Sequence, residues 1–301
     1  MSDITVLGIF VADISFSGNK LPRTGETILG DSYNIGPGGK GCNQAIAISR
    51  LGGRVNFISK LGDDDYGKLA IDKLKKDNID TSNIIISKKH KTGVAGIHVD
   101  RNTGKNAITV VRGAPSSLTI NEIDTNLFKQ SKIFLTQLEI PTDVTLHCLK
   151  AAKEYGLTNI LNPAPARELS NDFFKLIDYF TPNETEAEFY TGVKINNKND
   201  AKVCAKKLID MGIKKAIITL GEKGLFYSDG KKEIYLKASA DKAVDTTGAG
   251  DAFNGGFSFA LIKGKKIQEC LEIANKVAGF STTKLGAGDS MPTLTDINLK
   301  V

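Results

Sequence analysis

The chain has 301 residues, 41% hydrophobic and 25% charged, with net charge +6, an ordinary globular composition that allows one large domain or two small ones at roughly 150 residues each. Cys42, Cys148, Cys204 and Cys270 form no CxxC, and His90, His98 and His147 share no ligand spacing, which argues against a zinc centre or a disulfide framework and for a reducing, cytoplasmic setting. The lysines sit in scattered clusters (KLKK, SKKHK, KGKK) with few aromatics between them, the N-terminal apolar run is too short for a signal peptide, and no run reaches membrane-spanning length, so neither nucleic acid nor membrane is an expected partner.

In chain order, ITVLGIF at 4–10 reads as a buried strand, and residues 14–36, rich in β formers with a turn at LPRTG, read as strands of a small projecting sheet. GPGGKG at 36–41 matches GxGxxG, with Asp63 downstream, but it follows the projecting strands and not the first core strand. It is not a Walker A loop, because Gly41 follows Lys40. Two readings stand there: a close-packed turn, or a helix start at which Lys40 and Asn43 hold a polyhydroxyl or anionic ligand. CNQAIAISRLGG then has a helical pattern, VNFIS a strand pattern and YGKLAIDKLKKDNI a second helix. Residues 92–112, turning at RNTGK, supply more of the projecting sheet, which is placed to act as a lid. The alternation resumes with KIFLTQL, DVTLHCLKAAKEYG, TNILN, DAKVCAKKLIDMG and KAIITLG, and predicts a mostly parallel sheet with helices on both faces.

NPAPA at 162–166 and TPNETEAE at 181–188 each follow a strand pattern, at the sheet edge where ligands of open α/β folds bind. Asn183 is placed to cap a helix whose first turns carry Glu184, Glu186 and Glu188; helix capping explains these acids, and so does magnesium held through water beside a phosphate. In VDTTGAGDAFNGGF, 244–257, a glycine-rich turn runs into a helix marked by Phe253, Phe257, Ala260 and Leu261, with Gly264 to end it. Such a turn offers unpaired N–H groups to an anion and puts Asp251 in the first helical turn, either as plain charge against the dipole or as a working acid. GAGD recurs at 286–289 but leads into Ser290, Met291 and Pro292, and reads as a loop.

GGKGCNQA at 38–45, TQLEIP at 136–141, LNPAPAREL at 161–169, TPNETEAE, ITLGEKG at 218–224 and DTTGAGDAFNGGF at 245–257 together resemble the ribokinase family of sugar kinases, in the family's order and over nearly the whole chain. The resemblance implies a single kinase domain over 1–301, a three-layer α/β sandwich with a mostly parallel central sheet, and a β lid from about 14–36 and 92–112. It implies ATP-dependent phosphorylation of a primary hydroxyl on a furanose-like sugar. Ribose, giving ribose 5-phosphate, is the leading expectation; deoxyribose, another pentose or ketose, or a nucleoside is the alternative. By match to the motifs, Asp251 is the base, the N–H groups of Gly248, Ala249 and Gly250 form an anion hole, and Asp13, Gly39, Lys40, Asn43 and Glu139 join Asp251 as sugar contacts. Asn183 and Glu186 belong to a magnesium and phosphate motif, while Thr219, Leu220, Gly221, Glu222, Lys223, Gly224, Gly250 and Asn275 line ATP. Asp245, Thr247, Ser281, Lys284, Gly286 and Ser290 occupy the positions of a monovalent-cation site, usually potassium, and a homodimer through the lid is implied.

Three positions depart from the family: Val11 stands where Asn is common, Cys42 where Ala is usual, and Asn275 where some relatives have His. Cys42 so near the sugar predicts sensitivity to oxidation. The helix dipole predicts a depressed pKa for Asp251. Two rival classes are weighed: a nicotinamide oxidoreductase, which needs GPGGKG to carry its cofactor, and a non-catalytic sugar sensor, against which the intact DTTGAGD argues.

Overall fold

A computed structural model describes residues 3–240 and 242–299. The first half of the chain forms β1 (Ile4–Leu7), β2 (Val11–Gly18), β3 (Ser32–Gly38), α1 (Lys40–Arg50), β4 (Val55–Gly62), α2 (Asp65–Lys76), β5 (Ile84–Ser87), β6 (Gly93–Asp100) and β7 (Asn106–Val111). The second half continues with β8 (Ile133–Thr136), α3 (Thr142–Glu154), β9 (Thr158–Leu161), α4 (Asn171–Leu176), β10 (Tyr179–Phe180), α5 (Glu184–Thr191), α6 (Lys198–Asp210), β11 (Ala216–Thr219), β12 (Leu225–Ser228), β13 (Glu233–Leu236), α7 (Ala249–Ile262) and α8 (Ile267–Ser281).

Among the described residues the large sheet has nine strands in the order β13-β12-β11-β10-β9-β8-β1-β4-β5, parallel from β11 through β5 and closed at one edge by the antiparallel β12 and β13. Successive strand residues feed opposite cores, as a two-faced sheet requires. Ile4 and Val6 of β1 pack with α1, α2, α7 and α8, whereas Leu7 packs with α3, α4, α5 and α6. The result is the predicted three-layer α/β sandwich. Strand order reverses between β1 and β8, which opens a crevice beyond their carboxyl ends, the usual ligand position in such sheets. The projecting segments form a second sheet of order β3-β2-β6-β7, in which β2 is antiparallel to β3 and parallel to β6. No helix among the described residues is long and apolar enough to cross a membrane.

One close helix contact governs the site. α7 carries Asp251 at its start, and α1 crosses it so closely that a Cβ built on Gly255 would overlap the Cβ of Ala47 and lie 3.2 Å from the carbonyl of Gln44. Only glycine leaves room for the two backbones. Overpacking usually costs about 1–3 kcal/mol, and the branched Gly255→Val should reach at least the upper end of that range. Urea unfolding would measure the loss, and wild-type stability for the variant would contradict this packing.

Candidate active site

The turn before α7 ends at Gly248, whose φ of 77° is left-handed and whose missing Cβ would sit 3.1 Å from Cα of Ala287. The amide of Ala249 donates back to Thr246 O at 3.2 Å, closing the turn. Among the described residues the N–H groups of Gly248, Gly250 and Asp251 donate to nothing, and they lie at the positive end of α7. The predicted anion hole therefore differs in one member: the turn itself uses the Ala249 amide, and the Asp251 amide is uncommitted.

Asp251 is only 5% exposed. Its Oδ2 accepts from Asn43 Nδ2 and its Oδ1 from Gln44 Nε2, each at 2.9 Å, both donors standing on the first turn of α1. Gln44 Nε2 also reaches Asn162 Oδ1 at 3.1 Å, and Gln44 Oε1 accepts from Gln137 Nε2 at 2.6 Å. Asn162 continues to Thr181 O at 3.3 Å, Thr181 donates to Asn254 Oδ1 at 2.7 Å, and Asn254 donates to Gly250 O at 2.8 Å. This buried network joins the ends of β8, β9 and β10 to both helices. Gln44, Gln137, Asn162, Thr181 and Asn254 were not among the predicted site residues, although all five stand in quoted motifs, four of them as amides. Burial raises the pKa of Asp251, against the pull of Lys40 and the donors on Asn43 and Gln44. The expected depression is thus reversed, because loss of water outweighs the favourable dipole and partners.

Other charges crowd the same place. The Lys40 amide donates to Glu139 Oε2 at 2.9 Å, and burial pushes Glu139 up to about 7 against Lys40. Burial opposes charge on Lys40, but Asp251, Glu139 and Glu186 outweigh it and hold its pKa above the ordinary value. Asp13, on β2 opposite Gly36, is raised to about 6 by burial, then by the charges of Asp251 and Asp289. Gly39 precedes α1 with φ 89°, beneath the Ile9 carbonyl. Val11 is buried and packs into the core, so its side chain offers no polar group. Cys42 is fully buried in the opposite core and burial drives its thiol well above the usual range, which removes the expected oxidation sensitivity.

Beyond Asp251 a cavity of about 220 Å³ lies between Lys40, Asn162, Glu186, Gly248 and Asp251. It shares Asn183, Thr219, Ala249 and Gly250 with an adjoining cleft of about 530 Å³. The cleft is lined also by Gly221, Glu222, Gly224 and Asn275. Leu220 and Lys223 serve its wall differently: Leu220 is buried and bonds Gly224 O at 2.8 Å, and Lys223 pairs with Glu184 at 3.5 Å. Asn275 Nδ2 is committed to Lys237 O at 2.7 Å. Asn183 and Glu186 form a capping box at 2.8 and 2.9 Å, leaving one Glu186 oxygen uncommitted, and burial raises the Glu186 pKa. Glu188 faces outward, and no group of three acid, His or Cys side chains suited to a metal occurs among the described residues. A magnesium ion here would thus rest on Glu186, water and phosphate oxygens, not on a three-carboxylate cage.

Asp245 binds Thr247 through Oδ1, at 2.9 Å to N and 2.6 Å to Oγ1, and Gly286 N through Oδ2 at 3.0 Å. These contacts fold the 245–247 turn onto the loop after α8, which carries Lys284, Gly286 and Ser290. Ser281 ends α8, and its hydroxyl is turned back to Ala278 O at 2.8 Å. No amide or side-chain donor among the described residues reaches the carbonyls of Asp245, Thr247, Lys284, Gly286 or Ser290. Uncommitted oxygens next to one carboxylate are a donor set that suits a monovalent cation.

The profile of the pfkB family carbohydrate kinases matches residues 1–294. The chain belongs to that family. This kinase is 41% identical over 293 residues to the ribokinase of Haemophilus influenzae, covering 96% of this chain and 95% of that protein. It is 34% identical over 299 residues to the deoxyribokinase of Salmonella typhi, covering 98% and 97%. In structure it is similar to Arabidopsis thaliana ribokinase complexed with ribose and ATP, with TM-score 0.92 and 31% identity over 99% of this chain and 98% of that one.

The acids of the kinase leave a signature in stability. Asp13 titrates at about 6 when folded, against roughly 3.9 in an unfolded chain. The unfolded state therefore releases its proton first, and stability falls as pH rises through that window, with the cost complete above it. Asp13→Asn should raise Tm by a few degrees at about pH 8 and leave it nearly unchanged at about pH 4. Differential scanning calorimetry at both values checks this, and an equal gain at each would contradict a buried charge.

Proposed function

We propose that this kinase transfers the γ-phosphoryl group of ATP to the 5-hydroxyl of D-ribose, giving ribose 5-phosphate and ADP. The observation that carries the reading is the buried Asp251 carboxylate at the start of α7, between the sugar-side acids and the outer cleft. The Haemophilus ribokinase and the ribose and ATP complex of the Arabidopsis ribokinase support the choice of sugar. Deoxyribose is the second reading, favoured by the Salmonella deoxyribokinase and by the apolar Val11 on the sugar side of β2.

Asp13, Gly39, Lys40, Asn43 and Glu139 hold the sugar, and Asp251 takes the proton of its primary hydroxyl as the oxygen attacks. The raised pKa of Asp251 makes it a stronger base than a free aspartate. The N–H groups of Gly248 and Gly250, the end of α7 and Lys40 stabilise charge on the transferring group. Positioning dominates, because phosphoryl transfer passes through a loose transition state. ATP, when bound, supplies the phosphoryl group; Thr219, Gly221, Glu222, Gly224 and Asn275 line its cleft, with Leu220 and Lys223 shaping the wall. Asn183 and Glu186 would hold magnesium through water, and Asp245, Thr247, Ser281, Lys284, Gly286 and Ser290 a potassium ion, largely by carbonyl oxygens.

The small sheet acts as a lid, and its outer strand supports a homodimer: every residue of β7 is exposed, Ile108, Val110 and Val111 by about half. An edge so apolar is poorly suited to water.

ADP release with ribose, deoxyribose, fructose, ribulose and adenosine, each with magnesium and with or without potassium, tests the reading. The expected result is a ribose signal increased by potassium. Asp251→Asn should lower turnover by roughly 10²- to 10⁴-fold; turnover within about tenfold of the parent would remove Asp251 from its role. Preference for another sugar would move the substrate and keep the chemistry.

A further inference from the structure

Facing Asp13 is a carboxylate that none of these roles uses. Asp289 lies on the short helical turn Gly288–Ser290, with its Oδ2 3.0 Å from the position a Cβ on Gly36 would take. Gly36 is the register partner of Asp13 across β2 and β3, and Gly38, the partner of Val11, lies on the same face. A Cβ on Gly38 would overlap the Asp13 carboxylate. Both glycines thus clear the sheet face on which Asp13 and Asp289 approach each other.

The turn is held in place. Arg50 Nη1 donates to the carbonyls of Gly288, Asp289 and Met291 at 3.2, 3.2 and 2.9 Å. The rest of the guanidinium grips Asp77 with Nε at 2.7 Å and Nη2 at 3.2 Å. Asp289 is therefore presented toward a like charge, which adds to the raised pKa of Asp13. Neither carboxylate accepts a hydrogen bond from any donor among the described residues. Beside them, Asn43 Oδ1 is buried without a donor and is directed at Gly288, 3.1 Å from where its Cβ would be. Two carboxylates without donors therefore share the face cleared by Gly36 and Gly38, while Val11 contributes no polar group there. Such a set is matched by a ligand that brings hydroxyl donors.

We propose that Asp289 is a specificity-determining residue of the sugar pocket, accepting a hydroxyl at the end of the sugar remote from the transferred phosphoryl and reading, with Asp13, a pair of neighbouring hydroxyls. The inference rests on the sugar-kinase reading above. A carboxylate built to receive a hydroxyl discriminates against the analogue that lacks it. The occupant is a vicinal diol, such as the 2- and 3-hydroxyls of a pentose, and 2-deoxy sugars leave one acceptor unmatched.

Steady-state kinetics of the parent, Asp289→Ala and Asp289→Asn with ribose and 2-deoxyribose test this. The expected result is a ribose KM raised by roughly 10- to 100-fold in Asp289→Ala, a smaller rise in Asp289→Asn, kcat lowered far less than KM rises, and a 2-deoxyribose KM that changes little. Discrimination between the two sugars would shrink accordingly. Asp289 is exposed at the surface of its turn and repels Asp13, so both variants should unfold at no lower temperature than the parent, which separates binding from folding. An unchanged ribose KM in a parent-like fold overturns the inference alone. Equal losses on both sugars, or a change confined to magnesium dependence, overturn it also, the latter marking the acid pair as a cation site. A parent that phosphorylates no sugar in the panel overturns the sugar-kinase reading and this inference together.

Discussion

The site depends on one contact, a buried carboxylate on α7 held by two amides from α1. Asp251 brings a negative charge to a place with almost no water, and Asn43 and Gln44 replace the lost hydration with directed N–H groups. Their geometry requires the close passage of the helices at Gly255. A preorganised acid of this kind needs no rearrangement when a proton arrives. The helix that orients Asp251 also starts with Lys40, so the base and the nearest cation are fixed by the same element.

Charge balance shapes the rest. Glu139, Glu186 and Asp251 act on Lys40, Asp13 lies in the field of Asp251, and burial raises the pKa of each of the four acids. An acid cluster with one cation is costly in the absence of ligand, because each carboxylate loses water and repels the others. Sugar hydroxyls bring donors to such groups, and the uncommitted amides at α7 suit an anion on the opposite side. The pocket is thus polarised: acceptors line the side toward the small sheet and donors the side toward the outer cleft. That polarity favours a neutral polyol on one side and a phosphate on the other, with Asp251 where they meet.

Much of this was legible in the chain. The alternation of strand and helix patterns predicted the three-layer sandwich, and β-forming runs around RNTGK predicted strands that form the separate sheet, with its hairpin between Asp100 and Asn106. Short elements carried too little pattern: β5, the two-residue β10 and the β12–β13 edge hairpin depend on tertiary pairing for their strand character. Asp251 and Lys40 were visible because glycine-rich turns mark helix starts. The supporting amides were not, since Gln137, Asn162 and Asn254 are brought together only by the sheet and the helix α7 packed on it, and nothing local distinguishes a network amide from a solvated one. The pKa of Asp251 failed for a similar reason. A dipole can be inferred from one helix, but desolvation is a property of everything packed around it.

The repeated GAGD tetrapeptide shows how context divides identical residues between two tasks. At 248–251 the acid enters a long helix, is buried, and collects donors from α1. At 286–289 the same four residues end in a single helical turn, and the acid stays at the surface with no donor. What ties the second copy to the site is Arg50, at the far end of α1, whose guanidinium binds the turn's carbonyls and leaves its carboxylate alone. α1 therefore organises both copies, with amides from its first turn on one acid and a cation from its last turn on the backbone beside the other. Helix polarity makes this distribution favourable, because a cation is stabilised at the C-terminal end and N–H donors are exposed at the N-terminal end. A rigid rod of eleven residues thereby sets the spacing between the proton-accepting acid and the acid at the remote end of the pocket. Two carboxylates held at a set separation by one helix can measure a small ligand's length, which neither loop could do if it were positioned independently.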